Sequence, residues 1–411
     1  MSSCHPCPRD RGATPSRGGS CPARTALPGP VRGPGRWAAP SGGGGQWHPG
    51  GVTELPPQTS RVPLRPAVAA LPAYVPGARL APGSSAFKLS SNENPYPPPA
   101  AVVAAVVDAA ADTNRYPDMY ATDLTEALAT DLGVDASQVV VGNGSVAVLA
   151  HILSAVVDAG DEVVYPWRSF EAYPIAVAVA GGTSARVPVT QDGRLDLPAM
   201  AAAISDRTRV VLVCTPNNPT GPVVHAGELA TFLASVPGDV LVVLDEAYLE
   251  FVRDPQAPDG LAVLAAHPNV VLLRTLSKAY GLAGLRVGYA VAEPALAAGV
   301  RAVSTPFGVS HVAQRAALAA LSVKDELLER VEHLVSRRER LVEGLRDQGW
   351  DLPETQANFV WFPLGGPTAE LAAGASAAGL LVRPFAGEGI RVSVGEEEAT
   401  EAFLKVAAGW R

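Results

Sequence analysis

Lys278 is the first residue of this chain whose type and setting could carry chemistry. The sequence has 32 lysine and arginine residues, and only four of them are lysines. Lys278 follows an apolar run at residues 270–273 that predicts a buried strand. Only a deprotonated primary amine attacks a carbonyl to form a Schiff base, and arginine cannot replace lysine in that chemistry. Taken alone, a Ser-Lys pair is typical of a surface loop, so the interpretation depends on the other polar residues.

Three other predicted strands are also followed by residues that could bind a ligand. They are the run 139–141 before Gly142-Asn143-Gly144-Ser145, the run 209–214 before a loop with Asn218, and the run 240–244 before Asp245 and Tyr248. Each feature has a structural explanation when it stands alone: a turn, a connector and a helix cap, respectively. Because ligands of parallel α/β sheets gather at the carboxyl ends of strands, we expect these residues to meet Lys278.

Pyridoxal phosphate is a ligand that would use all four positions. It needs a lysine amine, a carboxylate that keeps the pyridine nitrogen protonated, donors for the phenolic oxygen, and a phosphate site. Lys278 and Asp245 meet the first two needs, while Asn218 and Tyr248 suit the phenolic oxygen. The residues that suit the phosphate are Gly142, Asn143, Gly144, Ser145, Thr275, Ser277 and Arg286.

These motifs resemble those of fold-type I aminotransferases that depend on pyridoxal phosphate, and in detail those of the histidinol-phosphate aminotransferase family. The resemblance covers residues 67–411 in the right order. Segments that carry it are Ala73-Tyr74-Val75-Pro76-Gly77, Leu89-Ser90-Ser91-Asn92-Glu93-Asn94-Pro95-Tyr96, Arg115-Tyr116-Pro117-Asp118, Asn218-Pro219-Thr220-Gly221, Asp245-Glu246-Ala247-Tyr248, Ser277-Lys278 with Arg286, Gln356-Ala357-Asn358-Phe359, Val382-Arg383-Pro384 and Ile390-Arg391-Val392-Ser393-Val394. The implied fold is α/β, with a mostly parallel sheet in a large domain and a smaller C-terminal α+β domain.

Within that family, two segments resemble the aromatic amino acid (phenylalanine) aminotransferase branch: Trp167-Arg168-Ser169-Phe170-Glu171 and residues 358–364. The implied reaction transfers the amino group of phenylalanine or tyrosine to 2-oxoglutarate in a ping-pong cycle. The alternative within the family is histidinol-phosphate transamination in histidine biosynthesis. More distant alternatives are a lyase, such as a threonine-phosphate-type decarboxylase, and a cofactor-binding regulator without enzyme activity.

The resemblance implies roles for further residues around the cofactor. Phe170 stacks on the cofactor ring, although a phenylalanine of the core is the competing interpretation. Lys278 carries the cofactor and then acts as general base, with Asp245 and Tyr248 as the other catalytic residues. Tyr116 reaches the phosphate of the neighbouring subunit's cofactor. The implied assembly is therefore a homodimer with shared active sites.

The resemblance also implies a set of substrate-binding residues. Arg391 pairs with the substrate carboxylate, because the planar guanidinium suits a carboxylate. Arg383 helps to bind the distal group of the substrate, which is a phosphate in histidinol phosphate. Tyr74 and Asn94 lie near the substrate. The presence of Arg383 does not decide between the two substrates.

Strands and helices alternate from about residue 67 onward and must position these side chains. The first strands are continuous runs of valine and leucine, as a parallel sheet covered on both faces requires. Further on, helices near 310–321 and 324–348 precede short strands at Phe359–Phe362, 380–383 and 390–394. The predicted divisions are a disordered tail at 1–66, an arm at 67–99 that joins the small domain, a large domain at 100–301 and a small domain at 302–411.

The N-terminal tail differs from the rest of the chain in composition. Residues 1–60 hold 11 prolines and 12 glycines without apolar periodicity, so they cannot bury enough surface to offset the entropy of ordering. Three of the four cysteines lie there, and Cys214 ends an apolar strand. We therefore predict no disulfide, no metal site and a reducing, cytoplasmic compartment.

The overall composition argues against two classes of partner. The formal net charge of −8 gives no general attraction to nucleic acid. Charged residues or glycines interrupt every apolar run before about 18 residues, so no membrane-spanning helix is expected. The predicted partners are small-molecule substrates, namely an amino acid and a 2-oxo acid, and a second copy of the chain.

Overall fold

A computed structural model describes residues 62–71, Gly77, Leu80 and 83–410. The strands of these residues form one large sheet and two small ones. The strands are β1 (Phe87–Lys88), β2 (Val139–Gly142), β3 (Glu162–Trp167), β4 (Thr183–Pro188), β5 (Thr208–Cys214), β6 (Leu241–Asp245), β7 (Val270–Thr275), β8 (Gly288–Val291), β9 (Phe359–Phe362), β10 (Leu380–Leu381), β11 (Arg383–Phe385) and β12 (Gly389–Ser393). The predicted disordered tail comprises residues 1–66, of which residues 1–61 lie outside the described residues.

The helices lie between these strands and in the C-terminal third of the chain. They are α1 (Pro66–Ala69), α2 (Ala100–Ala109), α3 (Thr122–Leu132), α4 (Ser145–Val156), α5 (Ala172–Ala180), α6 (Leu197–Ala202), α7 (Ala226–Ser235), α8 (Gly260–Ala266), α9 (Pro294–Ala302), α10 (His311–Ser322), α11 (Lys324–Asp347), α12 (Thr368–Ala377) and α13 (Glu397–Ala407). Short 3₁₀ helices cover Ala110–Asp112, Ala136–Gln138, Leu249–Phe251 and Ala408–Trp410. No helix of the described ranges is long and apolar enough to cross a membrane.

The large sheet has seven strands in the order β2-β8-β7-β6-β5-β3-β4. Strand β8 runs antiparallel to both of its neighbours, and the other pairs are parallel. The register pairs Cys214 with Asp245, and Asp245 with Leu273. Strands β5, β6 and β7 therefore end close to one another, and the loops that follow them start from the same edge of the sheet.

Alternate residues of the central strands pack on opposite sides of this sheet. In β6, Val242 and Leu244 belong to one buried apolar cluster, whereas Val243 belongs to a second. Ile152 of α4 packs in the second cluster, and Phe232 of α7 packs in the first. Both faces are covered by helices, as continuous apolar strands require. The predicted α/β fold with a mostly parallel sheet is confirmed.

The C-terminal strands differ from the prediction in one respect. Residues 380–383 are not a single strand, because β10 pairs with β1 whereas β11 pairs with β12 in another sheet. The chain changes partner at Val382, between the two strands. Strand β12 also pairs with β9, which gives an antiparallel sheet in the order β11-β12-β9. The domain boundary predicted between residues 301 and 302 stays a prediction.

Candidate active site

A cavity of about 240 Å³ lies at the carboxyl ends of β5, β6 and β7. It is lined by residues from the loops after these strands, from the start of α4 and α5, and from β11 and β12. The residues predicted from the sequence that line it are Ser145, Phe170, Asn218, Asp245, Tyr248, Thr275, Ser277, Lys278, Arg286, Arg383 and Arg391. The four separate positions after predicted strands thus converge on one cavity.

Lys278 lies on the loop after β7 with its amine at the cavity wall. Its Nζ donates to the carbonyl oxygen of Ser91 over 3.1 Å and lies 5.9 Å from the centre of the Tyr248 ring. Burial lowers the pKa of Lys278 from 10.5 to about 7, and the positive charge of Arg391 acts in the same direction. A large fraction of this amine is therefore neutral, and nucleophilic, near neutral pH.

Asp245 ends strand β6 and places a buried carboxylate at the cavity. Its Oδ2 accepts a hydrogen bond of 2.7 Å from the hydroxyl of Tyr173, whereas its buried Oδ1 has no hydrogen-bond partner among the residues that the structure describes. Burial raises the pKa of Asp245 to about 6, although the Tyr173 hydrogen bond opposes that rise. A buried acceptor of this kind favours a cationic or N–H donor from a ligand.

A chain of hydrogen bonds links Tyr248, Asn218 and Arg391. The Tyr248 hydroxyl accepts from Nδ2 of Asn92 over 2.9 Å and from Nδ2 of Asn218 over 3.2 Å. Oδ1 of Asn218 accepts from Nη1 of Arg391 over 2.6 Å, and Nη2 of Arg391 donates to the carbonyl of Ser90 over 2.7 Å. Burial raises the pKa of the Tyr248 phenol well above its ordinary value, so it stays a neutral hydrogen-bond donor.

The other end of the cavity is suited to an anion. Arg286 donates from Nη1 to Oγ of Ser277 over 3.4 Å and to the carbonyl of Ala283 over 3.0 Å. A Cβ built at Gly144 would lie 2.5 Å from Nη2 of Arg286, and Gly144 has a left-handed φ of 85°, so a side chain there would displace the guanidinium and strain the backbone. A helix start with free amides beside a guanidinium attracts a phosphate group. Arg286 itself has a left-handed φ of 58°.

Two arginines approach the cavity from the antiparallel sheet. Arg383 and Arg391 are paired directly across β11 and β12, and directly opposed residues project from the same face. Both guanidinium groups lie close to the ring of Phe385, at 5.6 Å and 5.9 Å from its centre. Arg383 also forms an ion pair of 2.6 Å with Glu171.

Several predicted site residues lie elsewhere. Gly142 and Asn143 line a neighbouring cavity of about 670 Å³. Nδ2 of Asn94 donates to the carbonyl of Ala279 over 3.0 Å. Asn94 therefore holds the backbone of the loop that carries Lys278. Tyr116 is 83% exposed and does not line the active-site cavity of its own chain. Tyr74 lies outside the described residues.

Some residues that contact the predicted ones were not predicted from the sequence. Tyr173, which hydrogen-bonds to Asp245, lies on α5, and its side chain is fully buried. Asn92 hydrogen-bonds to Tyr248 and has a left-handed φ of 53°, a conformation that asparagine tolerates. Glu171 and Phe385 line the substrate end of the cavity. The polar run around Asn92 was a usable signal, whereas nothing marked Tyr173.

The sequence places the chain in a known family that agrees with this site. Residues 84–406 match the family described as aminotransferase class I and II. The chain belongs to this family, and it is an aminotransferase. The expected family and enzyme class are confirmed.

Two relatives and one solved structure resemble this chain over most of its length. A protein of Streptomyces avermitilis named aromatic amino acid aminotransferase is 55% identical over 349 residues, which are 85% of this chain and 97% of that protein. A protein of the same name from Thermobifida fusca is 52% identical over 345 residues, 84% of this chain and 96% of that protein. The structure of histidinol-phosphate aminotransferase from Sinorhizobium meliloti in complex with pyridoxal-5'-phosphate has a TM-score of 0.75 at 29% identity and covers 86% of this chain and 100% of that chain.

Proposed function

We propose that this aminotransferase moves the amino group of an aromatic amino acid, phenylalanine or tyrosine, to 2-oxoglutarate with pyridoxal phosphate held on Lys278. The observation that carries the substrate class is the 55% identity to a protein named aromatic amino acid aminotransferase, over 97% of that protein. The cavity agrees with this class, because Phe170 and Phe385 offer aromatic surface beside Arg391.

The residues of the cavity fit pyridoxal phosphate. Asp245 offers a buried Oδ1 that has no partner within the described part of the chain, and this oxygen suits the protonated ring nitrogen of the cofactor. Asn218 and Tyr248 lie on one hydrogen-bonded chain and suit the phenolic oxygen. Ser277 and Arg286, beside the start of α4, suit the phosphate. When bound, the cofactor would supply a carbonyl carbon for the amine and a ring that withdraws electrons.

The chain's own residues would then bind the substrate and move its proton. Arg391, fixed by Asn218 and Ser90, would hold the carboxylate of the amino acid and so orient the neighbouring amine. The Lys278 amine, with its low pKa, would accept the proton of the substrate Cα at Nζ. Asp245 would hold a proton on the ring nitrogen, and Tyr173 would hold Asp245 in place.

Histidinol phosphate is a second candidate substrate. The specific observation in its favour is the structural likeness to the Sinorhizobium meliloti enzyme, together with Arg383 at the far end of the cavity. Histidinol phosphate has no carboxylate for Arg391 and carries a phosphate instead. The two candidates therefore differ in which anion the two arginines must bind.

A substrate comparison tests the proposal. Purified protein saturated with pyridoxal phosphate would be assayed with 2-oxoglutarate and either phenylalanine, tyrosine or histidinol phosphate as the amino donor. We expect kcat/KM for phenylalanine to exceed that for histidinol phosphate by at least about 100-fold, equivalent to about 3 kcal/mol. Lys278→Ala is the matched control and should be inactive with every donor. A wild-type preference for histidinol phosphate would refute the aromatic substrate class while leaving the aminotransferase assignment intact.

We also propose that the protein is a homodimer. Tyr116 is exposed and its ring stacks on that of Phe307 at 4.7 Å, so two large aromatic side chains face outwards together. Met119 and Tyr120 line the adjacent groove and are also exposed. An apolar surface of this kind is typical of a subunit interface.

A further inference from the structure

We propose that Glu171 is a displaceable counter-ion that lets one cavity accept both aromatic and dicarboxylic substrates. In this arrangement Glu171 neutralises Arg383 when the substrate side chain is uncharged. It moves into solvent when the distal carboxylate of a dicarboxylic oxo acid takes its place. This inference rests on the proposed function, because it assumes that Arg391 binds the carboxylate beside the reacting carbon.

The two arginines of the cavity have different partners. Arg391 is held by a side-chain amide and a backbone carbonyl, Asn218 and Ser90, neither of which carries a charge. Arg383 is instead paired with the carboxylate of Glu171 at 2.6 Å. The protein thus supplies a carboxylate for Arg383 from its own chain.

The exposure of the two partners shows which of them can move. The side chain of Arg383 is 8% exposed, whereas that of Glu171 is 30% exposed. Glu171 also precedes the first residue of α5, where the helix dipole stabilises a carboxylate. The glutamate can therefore turn towards water at small cost, while an unpaired Arg383 would remain a buried charge. A substrate carboxylate that reaches Arg383 removes that cost.

An aminotransferase of this proposed type needs such an exchange because its two substrates use one cavity in turn. An aromatic side chain brings no charge, so the ion pair between Arg383 and Glu171 stays intact. The dicarboxylic oxo acid brings a second carboxylate, which replaces that of Glu171 on Arg383. In both states Arg383 is paired with one carboxylate, which belongs either to Glu171 or to the dicarboxylic substrate.

A second ion pair provides a matched control. Arg168 donates from Nε to Oε2 of Glu388 over 2.7 Å, and it connects the same two segments as the first pair, the loop after β3 and the segment around β11. Neither Arg168 nor Glu388 lines the cavity. Removing this pair therefore loosens the same contact between segments without freeing a guanidinium in the substrate cavity.

Binding of two unreactive ligands to the holoenzyme tests the inference. Glutarate represents the dicarboxylic substrate and 3-phenylpropionate represents the aromatic one, and both dissociation constants would be measured by calorimetry. We expect Glu171→Gln to bind glutarate about tenfold more tightly than the wild type and to change the affinity for 3-phenylpropionate by less than about threefold. Glu388→Gln should change neither constant by more than about threefold. Adding Arg383→Gln to Glu171→Gln should abolish the gain for glutarate.

Three outcomes would overturn the inference: unchanged glutarate binding in Glu171→Gln, equal tightening for both ligands, or the same gain in Glu388→Gln. Thermal melting of each variant would confirm that it is folded. The assay of phenylalanine transamination by the wild type is separate. If the wild type fails to use phenylalanine but Glu171→Gln still gains glutarate affinity, the proposed substrate fails while the role of Glu171 stands.

Discussion

The positive charge of Arg391 changes the pKa of Lys278 in the same cavity. Lys278 is half-buried, and its amine lies in the same cavity as the guanidinium of Arg391. Both burial and this positive charge disfavour the ammonium form, so the pKa of Lys278 falls to about 7. The amine is neutral above its pKa and protonated below it. Its reactivity towards an aldehyde should therefore change near neutral pH rather than near 10.5.

The pH dependence of cofactor capture tests this point. When the cofactor-free protein is mixed with pyridoxal phosphate and quenched with borohydride, the rate of attachment to Lys278 should rise with pH through about 7. Above that pH the rate should level off, because the amine is already neutral. In Arg391→Gln the midpoint should move to higher pH, since one cause of the low pKa is removed. Mass spectrometry measures the attached fraction, and a wild-type midpoint above about 9 would contradict the prediction.

Asp245 illustrates how a buried ligand-binding group lowers the stability of the protein without its ligand. The folded-state pKa is about 6 against an ordinary 3.8, so the folded protein binds a proton more strongly than the unfolded chain does. Stability is therefore lost as pH rises from about 4 to 6, and the full cost applies above pH 6. A shift of about two pKa units corresponds to about 3 kcal/mol at most.

Asp245→Asn should accordingly stabilise the cofactor-free protein at pH 7.5 by about 1–3 kcal/mol, while it weakens cofactor binding and turnover. The gain should disappear at about pH 4, where the wild-type carboxyl is protonated in the folded state. Calorimetric melting at both pH values measures this difference. A variant less stable than the wild type at pH 7.5 would show that the carboxylate is not the destabilising group.

The anion-binding end of the cavity depends on close contact between strand β8 and helix α4. A Cβ built on Gly288 would overlap the backbone of Gly144 and Ser145. The backbone atoms of these two residues would lie closer to it than real Cβ atoms approach any other atom. Backbone cannot give way as a flexible side chain can. The start of α4 is thereby fixed next to Arg286.

Gly288→Ala should therefore displace the start of α4, lower the unfolding free energy by about 2 kcal/mol or more and weaken binding of pyridoxal phosphate. Gly284→Ala is the matched control, since no atom lies within 4 Å of a Cβ built there and Gly284 is exposed. That control should stay within about 0.5 kcal/mol of the wild type. Equal effects of the two substitutions would show that the contact with α4 is unimportant.

The same elements explain how far the sequence could predict the structure. Strands β5, β6 and β7 are continuous apolar runs, so their positions and the residues at their ends were predictable. Strand β4 is an edge strand with mostly half-buried or exposed residues, and β8 is a short strand that begins with glycine, so neither has a distinctive pattern. Tyr173 was missed because its partner Asp245 is 72 residues away, and no local pattern reports such a contact.

At the scale of the whole molecule, Tyr116 is the residue whose position calls for a partner. It lies outside the cavity of its own chain, with 83% of its surface exposed against the ring of Phe307. Burying two aromatic rings in an interface would stabilise the proposed dimer, in which twofold symmetry would bring each Tyr116 to the other subunit. In the proposed dimer each site would combine Lys278 of one chain with Tyr116 of the other.

Mixing two defective variants tests this arrangement. Lys278→Ala lacks the amine, and Tyr116→Ala lacks the contact that we propose for the partner's phosphate site. In a dimer that carries one copy of each, one site would contain an intact Lys278 and an intact Tyr116. Random assembly makes about half of the dimers mixed, each with one intact site of two, so coexpression should restore about a quarter of wild-type activity. Activity equal to the average of the two separate variants would mean that Tyr116 serves its own chain or neither site.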